Sequence, residues 1–284
     1  MIDFSLVEIG KAIILGVVEG VTEFLPISST GHLIVAGDLL RFNGPAAQTF
    51  EIFIQLGAIL SVVWLYKKKI FPPRDKLPRS VPAGTSAEPD FSAGWVQFWM
   101  KVFVSFLPAA VVGLAAHTYI KAHLFTPSIV ALSLIGGGIV ILGVEAFLRR
   151  KATSTPAENA VQRVTYPQAM WIGVAQVLAL IPGVSRSGST IIGGMLTKLD
   201  RKTATEYSFF LAIPTMLAAT GYDLLKSAGS ISSSDVPVFA VGFIVAFFSA
   251  LVAVKTFIRF IGTHSFRGFA WYRIAFGVLI LFLV

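Results

Sequence analysis

Six apolar segments dominate this chain of 284 residues, and each is about as long as a helix that crosses a bilayer. A hydrocarbon core about 30 Å thick takes ~20 helical residues to cross. With only 13% of its residues charged and a mean hydropathy of +0.77, the chain has too little charged surface for a soluble domain. We therefore expect a single all-α polytopic membrane domain, 1–284, with six transmembrane helices at roughly 48–66, 97–118, 127–148, 207–226, 237–260 and 268–284.

Two further regions, about 5–42 and 167–199, are apolar but interrupted near the middle. The interruptions are rich in Pro, Gly and Ser and read LPISSTG (25–31) and IPGVSRSGS (181–189). Non-helical backbone at membrane depth is tolerated only where it is buried in protein or lines a wet cavity. Each region is therefore predicted to form a re-entrant helical hairpin, in which two short helices enter the bilayer and return to the same side.

The two interrupted regions are also copies of one another. A shift of 157 residues, without a gap, places Ser28 on Ser185 and superimposes several of the surrounding glycines. Each copy consists of one hairpin and three spans. Because three is odd, the second copy must enter the membrane from the opposite side. The sequence thus predicts an inverted-topology repeat, with repeat 1 at about 5–148 and repeat 2 at about 167–284.

Basic residues cluster in segments 67–96, 149–166 and 198–202, whereas the loops predicted on the other side are poor in Lys and Arg. By the positive-inside rule the basic side is cytoplasmic, which places both termini outside and a cytoplasmic loop at about 67–96. The Pro/Gly/Ser-rich stretches 75–95 and 151–160 are predicted to be linkers. The net charge of +8 reflects these basic loops, which set the orientation in the membrane. We therefore expect no nucleic-acid partner.

The first polar motif is EGVTEFLPISSTGH (19–32), which contains two glutamates four residues apart. On a helix, Glu19 and Glu23 lie on the same face, one turn from each other. Two carboxylates this close repel when both are ionised, so the pair predicts a bound divalent cation or one protonated carboxyl. Oxygen ligands favour Mg²⁺ or Ca²⁺. In the alternative interpretation, the helix ends at the membrane surface and water solvates both acids.

The same motif continues with Ser28, Ser29, Thr30 and His32. One hydroxyl is enough to cap a helix, so the others indicate a site. The amino terminus of a helix also attracts anionic groups. His32 is a candidate general base or partner of a nucleophile. A packing role for this histidine is the alternative.

The second motif, PGVSRSGST (182–190), places Arg186 in an apolar region, where an arginine needs an anionic partner. Hydroxyls surround it, and together with a helix amino terminus they predict a phosphate cradle. The alternative is a structural ion pair of Arg186 with Glu19 or Glu23, and the two interpretations can coexist. Glu51 and Gln55, four residues apart on the first full span, are weaker candidates for supporting the site.

The inverted repeat is expected to bring the two motifs together near the middle of the protein. One motif supplies carboxylates and a histidine, and the other supplies a guanidinium and hydroxyls. Groups that neutralise a phosphate beside groups that hold a cation or move protons are typical of phosphoryl transfer. The competing class is a transporter or flippase for an anionic substrate, because inverted repeats with broken helices are also a transporter design.

Both motifs resemble those of a known family. The segment 19–32 is similar to the glutamate-rich first motif of the undecaprenyl-diphosphatase family, also called the bacitracin-resistance proteins, and 182–190 is similar to its PGxSRSxxT motif. The resemblance covers essentially the whole chain. It implies an enzyme of the bacterial cytoplasmic (inner) membrane, with its active site opening to the periplasm. This enzyme would hydrolyse undecaprenyl diphosphate to undecaprenyl phosphate and inorganic phosphate, which recycles the lipid carrier of cell-wall synthesis.

The resemblance also implies a divalent cation and a set of roles for both motifs. Catalytic roles would fall on Glu19, Glu23, Ser28, Ser29, His32 and Arg186. The two glutamates would bind the metal or handle protons, the arginine would hold the diphosphate, and the histidine with one serine would supply the base or the nucleophile. Further substrate contacts would come from Thr30, Ser185, Ser187 and Thr190. The expected partners are the lipid substrate and membrane lipids, with a homodimer as one alternative for the oligomeric state.

Overall fold

The structure is a computed structural model that describes residues 6–42, 45–71, 91–148, 160–227, 232 and 235–283. Within these ranges the chain is helical and contains no strand. Two 3₁₀ turns, Ala160–Arg163 and Leu178–Leu180, accompany the α-helices. The α-helices are α1 (Leu6–Thr22), α2 (Ser29–Leu39), α3 (Pro45–Leu65), α4 (Lys67–Ile70), α5 (Phe91–His123), α6 (Pro127–Leu148), α7 (Tyr166–Val177), α8 (Arg186–Leu196), α9 (Arg201–Ser227), α10 (Val236–Ile261) and α11 (Arg267–Leu283).

All six predicted spans are helical, as α3, α5, α6, α9, α10 and α11. By length and composition, α5, α6, α9 and α10 are apolar enough to cross a membrane over the described residues. The protein is therefore a helical integral membrane protein, as predicted. That α3 and α11 also span the bilayer stays a prediction.

Both interrupted regions divide into two helices, as the Pro, Gly and Ser residues predict. Residues 23–28 separate α1 from α2, and residues 181–185 separate the 3₁₀ turn from α8. Ile181, which precedes Pro182, adopts the extended backbone (φ −80°, ψ 119°) that a following proline imposes. We call these segments the first break (23–28) and the second break (181–185). Their entry into the bilayer from one side remains a prediction.

The 157-residue offset recurs in the backbone. The helices that follow the breaks, α2 and α8, begin and end with this offset. Among the described non-glycine residues, positive φ angles occur at Ser28 (70°) and Ser185 (75°), and again at Arg41 (51°) and Lys198 (71°). Both pairs are 157 positions apart. Such angles are strained for L-residues, so their recurrence indicates that each half repeats the same local fold.

The two halves pack across one another. Helix α1 packs on α10, and its repeat counterpart α7 packs on α5, while α3 packs on both α9 and α10. Glycines permit the close approach, because a β-carbon at Gly16 would lie 2.7 Å from the carbonyl oxygen of Gly242. A β-carbon at Gly173 would lie 2.5 Å from the carbonyl oxygen of Ser105. This crossed packing brings the two breaks together.

Helices reach into both ends of the segment 67–96, which is predicted to be a cytoplasmic loop. Its first residues form α4, and α5 already begins at Phe91, inside the predicted linker 75–95. Residues 72–90 and 149–159, which hold most of both predicted linkers, lie outside the described residues.

Candidate active site

Each break ends in a serine that caps the helix after it. Ser28 accepts a hydrogen bond from the backbone N–H of Gly31 (3.5 Å) at the start of α2. Ser185 accepts one from the N–H of Gly188 (3.1 Å) at the start of α8. A helix amino terminus carries free N–H groups and the positive end of the helix dipole. The site thus contains two helix termini suited to an anion.

Glu23 joins the two termini. It lies just beyond α1, and its backbone N–H still donates to the carbonyl of Glu19 (2.9 Å), which continues the helical turn. One carboxylate oxygen accepts a hydrogen bond from Arg186 Nη2 (3.0 Å), the first residue of α8. The other accepts one from the hydroxyl of Ser29, the first residue of α2. The ion pair is largely shielded from solvent, with side-chain exposures of 12% for Arg186 and 10% for Glu23.

Arg186 is held by several further contacts. Its Nη1 donates to the backbone carbonyl of Ser208 (3.2 Å), and Nη2 lies 3.3 Å from the sulfur of Met216. The guanidinium lies over the ring of Phe24, 5.6 Å from its centroid, which favours a cation. Its Nε has no hydrogen-bond partner among the described residues. The arginine is therefore fixed in position while one donor stays free.

Arg273 of α11 ties the two breaks to each other. Its Nη1 donates to the carbonyl of Pro26 in the first break (3.1 Å), and its Nη2 donates to that of Gly183 in the second (3.0 Å). The same side chain donates to the carbonyls of Ser133 (3.2 Å) and Leu134 (3.3 Å) on α6. Arg273 is only 1% exposed. Breaks in a helix leave carbonyls without partners, and this guanidinium satisfies one such carbonyl in each break.

Glu19 is fully buried, so the interpretation that water solvates both acids is wrong for this residue. Neither of its carboxylate oxygens has a hydrogen-bond partner among the described residues. Glu23, one turn later on the chain, and Glu51 of α3 are acids in its surroundings. A buried carboxylate with unpartnered oxygens beside other acids needs a cation or a proton.

In the part of the chain that the structure describes, Glu19 and Glu23 could hold a metal ion only together with ligands from outside the protein. Within the described residues, no group of three or more His, Asp or Glu side chains could hold a metal by itself. Mg²⁺ is commonly bound by one or two carboxylates, with phosphate oxygens and water as the remaining ligands. Glu19 and Glu23 fit such a site, because they offer oxygen atoms next to the predicted phosphate cradle.

His32 is engaged on both of its ring nitrogens. Nδ1 lies 2.7 Å from the carbonyl oxygen of Ser28, and Nε2 lies 2.7 Å from the hydroxyl of Tyr272 on α11. The ring also stacks on Phe276, with centroids 4.3 Å apart. These contacts hold the start of α2 against α11. The geometry matches the packing alternative for His32 more closely than a role as a free base.

A cavity of about 440 Å³ begins at this cradle and runs between α5 and α9. Of the predicted site residues, it is lined by Glu23, Ser28, Ser29, Thr30, Ser185 and Arg186. Farther along, small and apolar residues such as Ala109, Gly113 and Ala219 form its wall. At the far end Asp223 accepts a hydrogen bond from Lys121 (3.1 Å), and His117 Nε2 lies 3.9 Å from the same oxygen.

Four other predicted site residues, Glu19, His32, Ser187 and Thr190, are not among those that line this cavity. Ser187 donates to the carbonyl of Leu25 in the first break (2.7 Å). Thr190 donates to the carbonyl of Arg186 (2.9 Å) and lies 2.6 Å from the hydroxyl of Ser208. Both therefore contact protein groups that shape the cradle. Gln55 lines the cavity, whereas Glu51, one turn before it on α3, does not.

The sequence interpretation missed Arg273 and Gln176. A signal for Arg273 was present, since it is a charged residue inside a predicted span, where charges default to function. Gln176, which is 1% exposed, lines the same cavity as Arg186. Its signal was its alignment with Glu19 under the 157-residue shift.

Comparison with known proteins agrees with the two motifs. A family model described as "Bacitracin resistance protein BacA" matches residues 12–279. A relative from Methylobacillus flagellatus, named undecaprenyl-diphosphatase, is 52% identical over 272 residues, covering 95% of this chain and 96% of the relative. Undecaprenyl-diphosphatase 3 of Acinetobacter baylyi is 46% identical over 278 residues, covering 98% of both chains. The chain therefore belongs to the bacitracin resistance protein BacA family.

Proposed function

We propose that this protein hydrolyses undecaprenyl diphosphate to undecaprenyl phosphate and inorganic phosphate, which recycles the lipid carrier of cell-wall synthesis. The main structural support is the position of the Glu23 carboxylate, which contacts both Arg186 and Ser29 where α8 and α2 begin. The names of relatives that match almost the whole chain support the same activity.

The cradle is suited to a diphosphate, because the positive ends of α2 and α8 and the guanidinium of Arg186 all favour negative charge. The lipid tail would remain among the apolar side chains of the cavity and the neighbouring helices, with the diphosphate at the breaks. Preorganised donors of this kind also stabilise the charge that develops on a transferred phosphoryl group.

Ser29 is the nucleophile in this proposal. Its hydroxyl lines the cavity and donates to Glu23, whereas the hydroxyl oxygen of Ser28 caps α2. Glu23 takes the proton of Ser29 as the serine oxygen bonds to the terminal phosphorus. The bond from this phosphorus to the bridging oxygen breaks, and undecaprenyl phosphate leaves. Water then attacks the phosphoserine, the serine oxygen regains a proton, and inorganic phosphate leaves.

A divalent cation and His32 have the remaining roles in this proposal. Glu19 and Glu23 would hold Mg²⁺ or Ca²⁺, which offsets phosphate charge when bound. His32 would act as a positioning residue, because it holds the carbonyl of Ser28 and thereby the start of α2.

We also propose that the protein lies in the bacterial inner membrane and that the cavity opens to the periplasm. The far end of the cavity contains Lys121 and Asp223, near the carboxyl ends of α5 and α9. The basic residues at the start of α9 lie at the opposite end of that helix. Lys69 of α4 is near this same end, because it pairs with Glu206. The positive-inside rule makes that basic side cytoplasmic.

Phosphate release by the purified protein in detergent micelles tests the function, because micelles offer no compartments to transport between. We expect release from undecaprenyl diphosphate with Mg²⁺ or Ca²⁺ present, and its loss in Arg186→Ala and Glu23→Ala. Lys69→Ala, which removes the pair with Glu206 (3.3 Å) and a cation–π contact with Tyr66, is the matched control. Absence of release by the unmodified protein with either cation would reject hydrolysis and favour a transporter or flippase.

A further inference from the structure

The amide of Gln176 on α7 has a donor without a partner. Gln176 is 1% exposed, and its Nε2 makes no hydrogen bond to any described residue. It lines the cavity that also contains Glu23 and Arg186. A buried amide without a partner is unfavourable, so a ligand in the cavity that accepts its hydrogens recovers the lost interaction.

The position of this amide is well defined. Gly173, one turn earlier on α7, lies so close to α5 that a β-carbon would be 2.5 Å from the carbonyl oxygen of Ser105. On the side of α9, the hydroxyl of Thr215 donates to Gln176 Oε1 (3.4 Å). Since Oε1 has this partner, Nε2 is the atom left for a ligand.

Gln176 is the repeat counterpart of Glu19. The two residues are 157 positions apart, and each lies nine residues before the serine that caps the helix after its break. Both are buried, and both have unpartnered polar atoms. Their chemistry differs, however, because a carboxylate accepts protons or cations, whereas an amide NH₂ donates hydrogen bonds without carrying a charge. A carboxylate at position 176 would repel phosphate.

We propose that Gln176 is a substrate-binding residue whose amide NH₂ donates to a phosphate oxygen of the bound diphosphate. The identity of the diphosphate rests on the function proposed above. In this arrangement the two equivalent positions of the repeat have different ligands. Glu19 binds the cation or a proton, and Gln176 binds the anion.

Calorimetric titration of the detergent-solubilised protein with inorganic diphosphate tests this contact without requiring hydrolysis. We expect Gln176→Leu to weaken binding about tenfold or more, which corresponds to about 1.4 kcal/mol. Gln176→Glu keeps the shape but removes the donor and adds a repelling charge, so it should weaken binding at least as much. Lys69→Ala, a residue that does not line the cavity, is the control and should stay within about threefold of the unmodified protein.

Several outcomes would overturn the proposal. These are no binding of inorganic diphosphate by the unmodified protein, unchanged binding by Gln176→Glu, or an equal loss in Lys69→Ala. If Gln176→Leu fails to fold, the Glu variant of the same shape decides.

Phosphate release measured on the same preparations separates this proposal from the proposed function. Diphosphate binding that depends on Gln176, without any release, would reject hydrolysis and support the contact. Release by an enzyme that is indifferent to Gln176→Glu would reject only the contact. For short-chain isoprenyl diphosphates as substrates, we expect the Leu variant to raise KM about tenfold and to change kcat by less than about threefold, as for a uniform binding contact.

Discussion

Arg186 Nη2 lies 3.0 Å from Glu23 Oε1, so one ion pair joins two helix breaks that are far apart in the chain. The pair is largely shielded from solvent, and the second oxygen of the carboxylate accepts a hydrogen bond from Ser29. This contact agrees with the alternative in which Arg186 forms a structural ion pair with a glutamate. It also leaves the guanidinium and the serine at the same end of a cavity, as phosphoryl transfer requires.

Arg186→Lys should lower kcat of phosphate release by about 10²- to 10³-fold, the usual effect of removing one preorganised donor to a developing charge. Lysine keeps the charge but cannot reproduce the fork that reaches Glu23 and the carbonyl of Ser208 together. Steady-state kinetics in micelles measure the effect. An activity within threefold of the unmodified protein would show that charge alone is sufficient.

Ser29→Ala should abolish phosphate release, because it removes the proposed nucleophile. Ser28→Gly should retain most of the activity, since glycine accepts the positive φ of 70° and replaces a serine cap at a cost of only a few tenths of a kcal/mol. Trapping with ³²P-labelled substrate should give a phosphoserine in the unmodified protein and none in Ser29→Ala. Inversion of configuration at a chiral phosphorus would instead indicate direct attack by water.

Removal of divalent cations with EDTA should stop phosphate release, and Mg²⁺ or Ca²⁺ should restore it. The reason is that Glu19 and Glu23 are the proposed oxygen ligands of the cation, beside the predicted phosphate cradle. Glu19→Gln should need at least about tenfold more cation for half-maximal activity, because one charged ligand is lost. A full rate in EDTA would assign the Glu19 carboxyl to proton transfer alone.

Arg273→Met should lower both stability and activity. The break carbonyls of Pro26 and Gly183 would lose the donors that this guanidinium supplies, and each buried polar group without a partner costs about 1–3 kcal/mol. We expect a lower thermal unfolding midpoint in detergent, together with a reduced kcat in the fraction that remains folded. Arg273→Lys should recover part of both. Arg259→Met, on the exposed end of α10, is the control and should change neither.

Glu145→Gln should destabilise the protein without changing the chemistry. Glu145 is 3% exposed and accepts hydrogen bonds from Arg201 Nε (2.9 Å) and from the backbone of Phe266 (3.0 Å). Losing charge-assisted hydrogen bonds of this kind costs about 1.5–3 kcal/mol. Thermal unfolding should show the loss, while kcat of the folded enzyme stays unchanged. Glu206→Gln, which breaks the more exposed pair with Lys69, should cost at most about 1 kcal/mol.

Local features of the sequence were enough to predict the helices and their breaks. Apolar segments of span length specify helices, because the backbone must satisfy its own hydrogen bonds in lipid. Pro26 and Pro182 mark the breaks, since proline disfavours helical backbone at the residue before it. The repeat could also be found from the sequence, and it reappears in the backbone as the paired positive φ angles of Ser28 and Ser185.

The sequence alone could not show which side chains of the two motifs contact each other. Arg186 had two candidate carboxylates there. The structure pairs it with Glu23, whereas Glu19 has no side-chain hydrogen-bond partner among the described residues. His32 was a candidate base, yet Tyr272, 240 positions away, occupies one of its nitrogens. Such contacts depend on the crossed packing of the two halves, which periodicity along one helix does not encode.

The sequence by itself therefore determined a helical membrane protein with two broken, repeated segments and a set of residues suited to phosphate. Only the tertiary structure decided that Arg273 satisfies carbonyls of both breaks, and that the Nε2 of Gln176, beside the cavity, has no partner in the part of the chain that the structure describes. The physical reason is the range of the interactions. Hydropathy and proline act within one turn or one span, whereas hydrogen bonding at a buried site depends on where distant helices lie when the chain has packed.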